Sequence, residues 1–186
     1  MRIISGTLKG RSIKFLKNLN TRPLRDSVKE NIFNFLNHSN LIQVNIDNSN
    51  ILDLYSGIGS FGIECISRGA RKVTFIEHDP KATDILKENL IKLSVINKSK
   101  IHTNKIENII VKEHAEKYNV FFLDPPFTNY NFINNLLLIK KKKIFYKNHI
   151  VAIHREAKSK DELKDIINII QIKKYGRSKI IFGIFN

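Results

Sequence analysis

The sequence predicts an α/β fold with a mostly parallel seven-stranded sheet, helices on both of its faces and an antiparallel hairpin as its last part. From residue 50 onward, apolar β-prone runs alternate with helical segments, which is typical of parallel strands joined by helices. The last two runs, IIQIKK and KIIFGIF, flank YGRS and predict the hairpin. We place this main domain at residues 41–186, after a small extension at residues 1–40.

The extension is predicted to contain a basic β-hairpin and one helix. In RIISGTLKGRSIKF, two short β-prone runs surround Gly6 and Gly10, which favours a hairpin with basic side chains on one face. In RDSVKENIFNFLNH, apolar residues recur at near-helical spacing, so we expect a helix at about residues 25–38.

Five strands precede the terminal hairpin in the main domain. They are predicted in ILDLYS, KVTFIE, KIHTN, NVFFLD and IVAIHR. Helices are predicted from Ser60, after Pro80, in a short segment after KIHTN, and near residues 131–139.

The chain carries a large positive charge. Its 32 Lys and Arg residues exceed its 17 Asp and Glu residues, and the net charge of +15 favours a polyanionic partner. A codon bias towards Ile, Asn and Lys is the alternative explanation. The basic N-terminal segment is the better candidate for phosphate contacts, which we predict at Lys9, Arg11, Arg22 and Arg25. The KKKK run at residues 140–143 is interpreted as a solvated face.

The single cysteine, Cys65, excludes an internal disulfide and suits a reducing cytoplasm. It is predicted to be a buried packing residue. The six histidines show no metal-ligand spacing, so we expect no metal, and His154 is predicted to be structural or on the surface. The N-terminus lacks the apolar segment of an export signal, and there is no apolar run of about 18 residues, so we expect a cytoplasmic protein without a membrane span.

A glycine-rich turn follows the first strand of the main domain in LDLYSGIGSFGIE. Gly57 and Gly59 stand between a strand and a helix, where backbone and ligand can approach closely. Glu77 ends the next strand, where a carboxylate can accept hydrogen bonds from both hydroxyls of a ribose. The turn alone is weak evidence, but this context predicts a cofactor that contains a nucleoside.

The charge of Asp53 indicates which cofactor. This carboxylate lies four residues before Gly57, where it would repel the pyrophosphate of a dinucleotide. It would instead attract an ammonium or sulfonium group. S-adenosylmethionine carries both groups and no phosphate, so the sequence predicts a methyltransferase.

The second unusual stretch is NVFFLDPPF, in which an acidic residue, two prolines and an aromatic ring end an apolar strand. Pro125 and Pro126 would hold the turn rigid. Asp124 and the Pro125 carbonyl can accept hydrogen bonds from an exocyclic nucleobase amine and direct its lone pair towards a methyl group. Phe127 would stack on the flipped base. The alternative is a turn that only terminates the strand.

These motifs resemble those of class I S-adenosylmethionine-dependent amino methyltransferases. The segments RIISGTLKGRSIKF, TRPLRDSVKENIFNFL, GIECISRGARKVTFIEHD and YGRSKIIFGIF extend the resemblance along almost the whole chain to the RsmD family of bacterial methyltransferases. That family methylates N2 of a guanine in 16S small-subunit ribosomal RNA. The resemblance implies a Rossmann-like class I fold, S-adenosylhomocysteine as product, no metal, and 16S ribosomal RNA, within a small-subunit assembly particle, as partner. A monomer is slightly favoured.

The resemblance also assigns residues to each role. The phosphate contacts predicted above become RNA contacts, and the catalytic residues are Asp124, Pro125, Pro126 and Phe127. The cofactor pocket is expected to comprise Asp53, Tyr55, Ser56, Gly57, Gly59, Glu77, His78 and Asn104.

The chain departs from the usual family pattern in two places. Leu24 follows Arg22-Pro23 where the family has a threonine, so a hydroxyl contact is absent. Asn104 stands where many methyltransferases have an aspartate for the adenine amine, and its amide oxygen can accept the same hydrogen bond. Two alternatives remain open: a DNA adenine or cytosine amino methyltransferase, and a non-catalytic RNA-binding assembly protein with the same fold.

Overall fold

A computed structural model describes residues 1–15, 24–112 and 116–186. In this part of the chain the helices are α1 (Asp26–His38), α2 (Ser60–Ser67), α3 (Pro80–Lys92), α4 (Ile106–Lys112) and α5 (Phe132–Lys142). The strands are β1 (Asn50–Leu54), β2 (Lys72–Glu77), β3 (Ser99–Thr103), β4 (Tyr118–Leu123), β5 (Phe145–Glu156), β6 (Ile167–Tyr175) and β7 (Ser178–Phe185). A short 3-10 helix at Ile96–Lys98, which the sequence did not predict, leads into β3.

The strands form one seven-stranded sheet in the order β3-β2-β1-β4-β5-β7-β6. Strands β1 to β5 pair in parallel, and β7 is antiparallel to both β5 and β6. Leu54 of β1 pairs with Leu123 of β4, which pairs with Ile153 of β5, so β1 and β4 end level with one another while β5 continues to Glu156. The predicted fold class, including the terminal hairpin, is confirmed.

Helices cover both faces of this sheet, as predicted. Alternate residues of β1 and β4 point to opposite faces, so that Ile51 and Phe122 belong to one hydrophobic cluster and Leu52 and Phe121 to the other. The first cluster includes α1, α2 and α3, and the second includes α4 and α5. Cys65 is fully buried in the first cluster, which confirms its packing role.

The N-terminal segment folds back on itself and packs against α2. Arg2 and Ser12 form one antiparallel bridge. The predicted hairpin is therefore present, but it consists of this single bridging pair and not of two extended strands. The Glu64 carboxylate accepts hydrogen bonds from the backbone N–H groups of Ile4 and Ser5 at 2.8 and 2.9 Å. These contacts hold the segment on the main domain, and its apolar side chains belong to the same core.

Helix α1 matches its predicted bounds to within one residue. It buries Lys29, whose Nζ lies 3.3 Å from the Arg2 carbonyl oxygen and 3.9 Å from Glu64 Oε2. Burial lowers the pKa of Lys29, while the Glu64 carboxylate opposes that shift. Leu24, just before the helix, is buried and packs with the first hydrophobic cluster.

Helix α5 begins at Phe132 and extends to Lys142, three residues beyond its predicted end. The first three lysines of the KKKK run therefore form its last turn, where positive charge complements the helix dipole. Within the described residues, no helix has the length and apolar character needed to cross a membrane.

Candidate active site

A cavity of about 800 Å³ opens where β1, β2, β4 and β5 end. Strand β1 lies between β2 and β4, so the connections diverge there and leave a crevice at the carboxyl edge of the sheet. The structure brings together most of the residues that the sequence predicted for the cofactor pocket and for catalysis. The predicted cofactor and catalytic residues that line the cavity are Asp53, Tyr55, Ser56, Gly57, Glu77, His78, Asp124, Pro125, Pro126 and Phe127.

Glu77 joins two of the loops that line the cavity. Its Oε2 accepts a hydrogen bond from the Gly57 N–H at 2.8 Å, and its Oε1 accepts from the N–H groups of His78 and Asp79 at 2.8 and 2.9 Å. A carboxylate has about four acceptor sites, so three backbone bonds leave room for a ligand hydroxyl. Glu77 therefore shapes the glycine turn as well as presenting an acceptor.

The two predicted glycines of this turn have different roles. Gly57 has a φ of +52°, and a Cβ there would meet no atom within 4 Å, so it faces the open cavity. Gly59 has a φ of +82°, and a Cβ there would lie 2.3 Å from Leu86 Cδ1. Gly59 thus permits α2 to pack against α3, and it is absent from the cavity lining.

Asp53 is almost fully buried at the base of the cavity. Its Oδ2 accepts a hydrogen bond from the Gly62 N–H at 2.9 Å. Burial raises the pKa of Asp53 well above its ordinary value, and the Asp124 and Glu77 carboxylates raise it further. A positively charged ligand would stabilise the ionised form of this carboxyl group.

Two further observations fit a ligand at this end of the cavity. The Ser56 hydroxyl oxygen is buried without a hydrogen-bond partner among the described residues. The open space above Gly57 would accommodate atoms close to the backbone. A ligand with ribose hydroxyls and a positive group would satisfy Ser56, Glu77 and Asp53 together.

Asp124, at the end of β4, is paired with His154 on the neighbouring strand. Asp124 Oδ1 lies 2.8 Å from His154 Nδ1, and the His154 ring contacts Phe127 at 5.6 Å between centroids. His154 Nε2 is buried and has no partner in the described part of the chain. We therefore assign the proton to Nδ1, which donates to the carboxylate. His154 lines the cavity, which the sequence analysis missed.

Arg155, which is fully buried, holds the turn that follows Asp124. Its Nη1 donates to the Pro126 carbonyl and its Nη2 to the Phe127 carbonyl, both at 3.2 Å. Asp161 neutralises the guanidinium at 3.1 Å. No described residue donates a hydrogen bond to the Pro125 carbonyl, so that acceptor remains available beside Asp124.

Asn104 lies outside the cavity lining. Its side-chain oxygen accepts hydrogen bonds from the Lys105 N–H at 2.8 Å and from Asn108 Nδ2 at 2.9 Å. Its predicted contact with an adenine amine stays a prediction. Among the described residues there is also no group of three or more His, Cys, Asp or Glu side chains arranged to hold a metal ion.

The three predicted phosphate-binding residues that the structure describes do not lie together. Arg25 lines the cavity. Lys9 and Arg11 are exposed in the N-terminal turn, which is anchored by a 2.7 Å bond from the Thr7 N–H to the carbonyl of Ser67, at the end of α2 remote from the cavity. Arg22 lies outside the described residues. The predicted RNA contacts therefore stay predictions, and Arg25 is the one among the three described residues that borders the cavity.

The sequence matches known proteins along nearly its whole length. The sequence profile of a family described as "Conserved hypothetical protein 95" matches residues 1–184. Ribosomal RNA small subunit methyltransferase D of Buchnera aphidicola (subspecies Acyrthosiphon pisum) is 35% identical over 156 residues, which are 84% of this chain and 78% of that protein. A Bacillus subtilis protein provisionally named an rRNA methyltransferase is 34% identical over 171 residues, 90% of each chain.

Solved structures show the same fold. An Escherichia coli protein provisionally described as a methyltransferase matches with a TM-score of 0.85 at 23% identity, covering 100% of this chain and 98% of that one. A Haemophilus influenzae protein, provisionally described as a methylase, matches with a TM-score of 0.78 at 26% identity and the same coverage. The architecture is therefore the Rossmann-like class I methyltransferase fold.

The buried Asp53 carboxyl generates a prediction about stability without any ligand. We expect Asp53→Asn to raise the melting temperature at pH 7, by about 2–4 °C for each kcal/mol of desolvation that it relieves. Because the pKa of Asp53 is raised in the folded state, folding takes up a proton, and wild-type stability falls as pH rises between the unfolded pKa of about 3.9 and the raised folded pKa. The gain should therefore vanish below about pH 4.

Thermal unfolding of both proteins at several pH values checks this. The Asn side-chain oxygen can still accept the Gly62 N–H, so a change of melting temperature should not come from a lost hydrogen bond. If Asp53→Asn destabilises the protein equally at pH 4 and pH 7, the buried charge is not what limits stability.

Proposed function

Because the chain belongs to the RsmD family of ribosomal RNA methyltransferases, whose profile covers residues 1–184, we propose that it methylates a guanine of 16S ribosomal RNA on its N2 amine. The methyl donor is S-adenosylmethionine, and the substrate is presented within a small-subunit assembly particle in the cytoplasm. One observation carries the proposal: Asp124 and the free Pro125 carbonyl border the same cavity as Asp53 and Glu77.

The residues at the β1 and β2 end would hold the cofactor. Glu77 accepts a hydrogen bond from a ribose hydroxyl, the Ser56 hydroxyl gains a partner, and Asp53 faces positive charge. When bound, S-adenosylmethionine supplies an electrophilic methyl group on a positively charged sulfur. The carboxyl groups of Asp53 and Glu77 line this end of the cavity, which suits a ligand without phosphate.

The residues at the β4 and β5 end would hold the guanine amine. This amine is a weak nucleophile because its lone pair is delocalised into the ring. His154 occupies Asp124 Oδ1, which leaves Oδ2 to accept one N–H of the amine, while the Pro125 carbonyl accepts the other. These two acceptors favour a tetrahedral nitrogen and orient its lone pair. When the nitrogen accepts the methyl group it loses one proton, which departs on the side of the nitrogen that faces Asp124.

The Asp124→Ala variant tests this function most directly. It should bind S-adenosylmethionine like the wild type, since Asp124 is partly exposed at the strand end, yet transfer methyl groups about a hundred to a thousand times more slowly. The measurement is mass spectrometry of 16S ribosomal RNA digests after incubation with each protein and cofactor, with affinity by calorimetry. Asp124→Asn is the matched control, and partial activity there supports an orienting acceptor. Methylation by Asp124→Ala at the wild-type rate would contradict the catalytic role.

Glu77→Ala should weaken cofactor binding. The lost ribose hydrogen bond to the carboxylate is worth about 1.5–3 kcal/mol, so we expect the Kd to rise at least tenfold. S-adenosylhomocysteine shares the ribose and should lose affinity by the same factor. Calorimetry with both ligands measures this, and Glu77→Gln, which retains one acceptor oxygen, should lie between. Unchanged affinity in Glu77→Ala would exclude the ribose contact.

His154 should act as a positioning residue for Asp124. His154→Leu removes the N–H donor and frees the carboxylate to rotate, so kcat should fall roughly tenfold or more. His154→Asn offers an amide N–H in place of Nδ1 and should restore most of kcat. Steady-state kinetics with both variants, alongside cofactor affinity, tests this. Equal loss in Leu and Asn would indicate a packing role only.

A further inference from the structure

We propose that a second basic surface, beside the cavity and formed by the C-terminal third of the chain, binds RNA phosphates next to the target nucleotide. We call it the basic rim and define it as Lys158, Lys160, Lys174 and Arg177. The first two follow β5, and the others lie at and after the end of β6. The inference rests on the proposed function, because it takes RNA as the substrate.

The sheet register places the basic rim at the mouth of the cavity. His154 of β5 pairs with Ile180 of β7, and Glu156 pairs with Ser178. The residues after Glu156 and before Ser178 therefore extend past the level of Asp124, by about 3.3 Å for each further residue. Arg177, Ser178 and Tyr175 line the same cavity as the catalytic turn.

The backbone of the basic rim is held in a defined position. The Ala157 N–H donates to the Arg177 carbonyl at 2.9 Å, which joins the turn after β5 to the turn between β6 and β7. Lys179 donates from Nζ to the Ser159 carbonyl, between Lys158 and Lys160. The buried Asp161 is 4.0 Å from Lys179 Nζ, so this anchor is itself charge-compensated. The two turns thus form one supported surface.

The charges of the basic rim are free to meet a polyanion. All four side chains are exposed, and none forms an ion pair with an acidic residue of the described chain. The exposed acids nearby are Glu156 and Glu162, two against four cations. Arg25 adds a further exposed cation to the cavity lining. Exposed lysine and arginine near a nucleotide-sized cavity are suited to phosphate contacts.

The other basic clusters lie farther from the chemistry. Helix α5 starts next to the catalytic turn and ends before β5 begins, and Phe145 pairs with Tyr118 at the start of β4. The KKKK run therefore sits at the amino edge of the sheet, about 20 Å along the strands from Asp124. Lys9 is likewise anchored at the remote end of α2. Compared with these two clusters of described residues, the basic rim lies closer to phosphates that would flank a base in the cavity.

A pair of charge-matched variants tests the proposal. The rim variant is Lys158→Gln, Lys160→Gln, Lys174→Gln and Arg177→Gln. The control changes four exposed lysines at the amino edge: Lys117→Gln, Lys141→Gln, Lys143→Gln and Lys147→Gln. Both lose four charges. Binding to purified 16S ribosomal RNA, and separately to a small-subunit assembly particle, is measured at several salt concentrations, with cofactor affinity and melting temperature as checks of folding.

We expect the rim variant to bind the RNA roughly tenfold or more weakly near 0.1 M salt. Its log–log salt slope should flatten by up to about three units, at about 0.7 for each lost contact to a single strand. The KM for RNA should rise while kcat at saturating RNA changes less than about threefold. The control should keep most of the wild-type slope.

Three results would overturn the proposal. Equal flattening in both variants would assign the effect to overall net charge. An unchanged slope in the rim variant would show that these residues are only solvated. Weakened binding to the assembly particle with unchanged binding to free RNA would assign the surface to a protein partner. If the wild type binds RNA through the basic rim but transfers no methyl group, the proposed function fails while the basic rim stands.

Discussion

The buried guanidinium of Arg155 is the interaction on which the site depends. A buried charge of this kind is tolerated only when its donors are paired, and here Asp161 and the loop carbonyls of Pro126 and Phe127 provide the partners. The same Asp161 lies near Lys179, which supports the turn after β5. One charge cluster therefore fixes both the turn after Asp124 and the surface at the cavity mouth. Removing Asp161 would leave the buried guanidinium without its carboxylate partner.

Negatively charged side chains lie inside the cavity, and positively charged side chains surround its mouth. Three carboxyl groups, those of Asp53, Glu77 and Asp124, line the cavity, although the chain as a whole is strongly basic. Burial of Asp53, with the other two carboxylates nearby, has a thermodynamic cost seen in its raised pKa, and a cationic ligand would relieve it. The exposed cations around the mouth favour the opposite charge. An acidic interior and a basic exterior thus suit a cationic cofactor and a polyanionic substrate in one cavity.

The sequence predicted those features that local pattern determines. Asp53, Glu77 and Asp124 each follow or end an apolar run, and the rule that parallel strands share one carboxyl edge was enough to bring them together. His154 could not be found this way, because its contact with Asp124 spans 30 residues and depends on the register between β4 and β5. The role of Arg155 could not be predicted either, because nothing in the local sequence distinguishes it from other charged residues on a strand. The predicted ligand contact of Gly59 stays a prediction, and the structure adds that its φ of +82° and the closeness of Leu86 both favour a glycine there.

The strand order has a consequence for how the protein is made. Strand β7 is translated after all the other strands, yet it lies between β5 and β6. During synthesis β5 has no neighbour on one side, and β6 has nothing to pair with, until the ribosome has extruded β7. Domains of this size begin to fold while they are being translated. The sheet is therefore completed only when synthesis has passed residue 185, and a nascent chain halted earlier would expose two unpaired strand edges to aggregation.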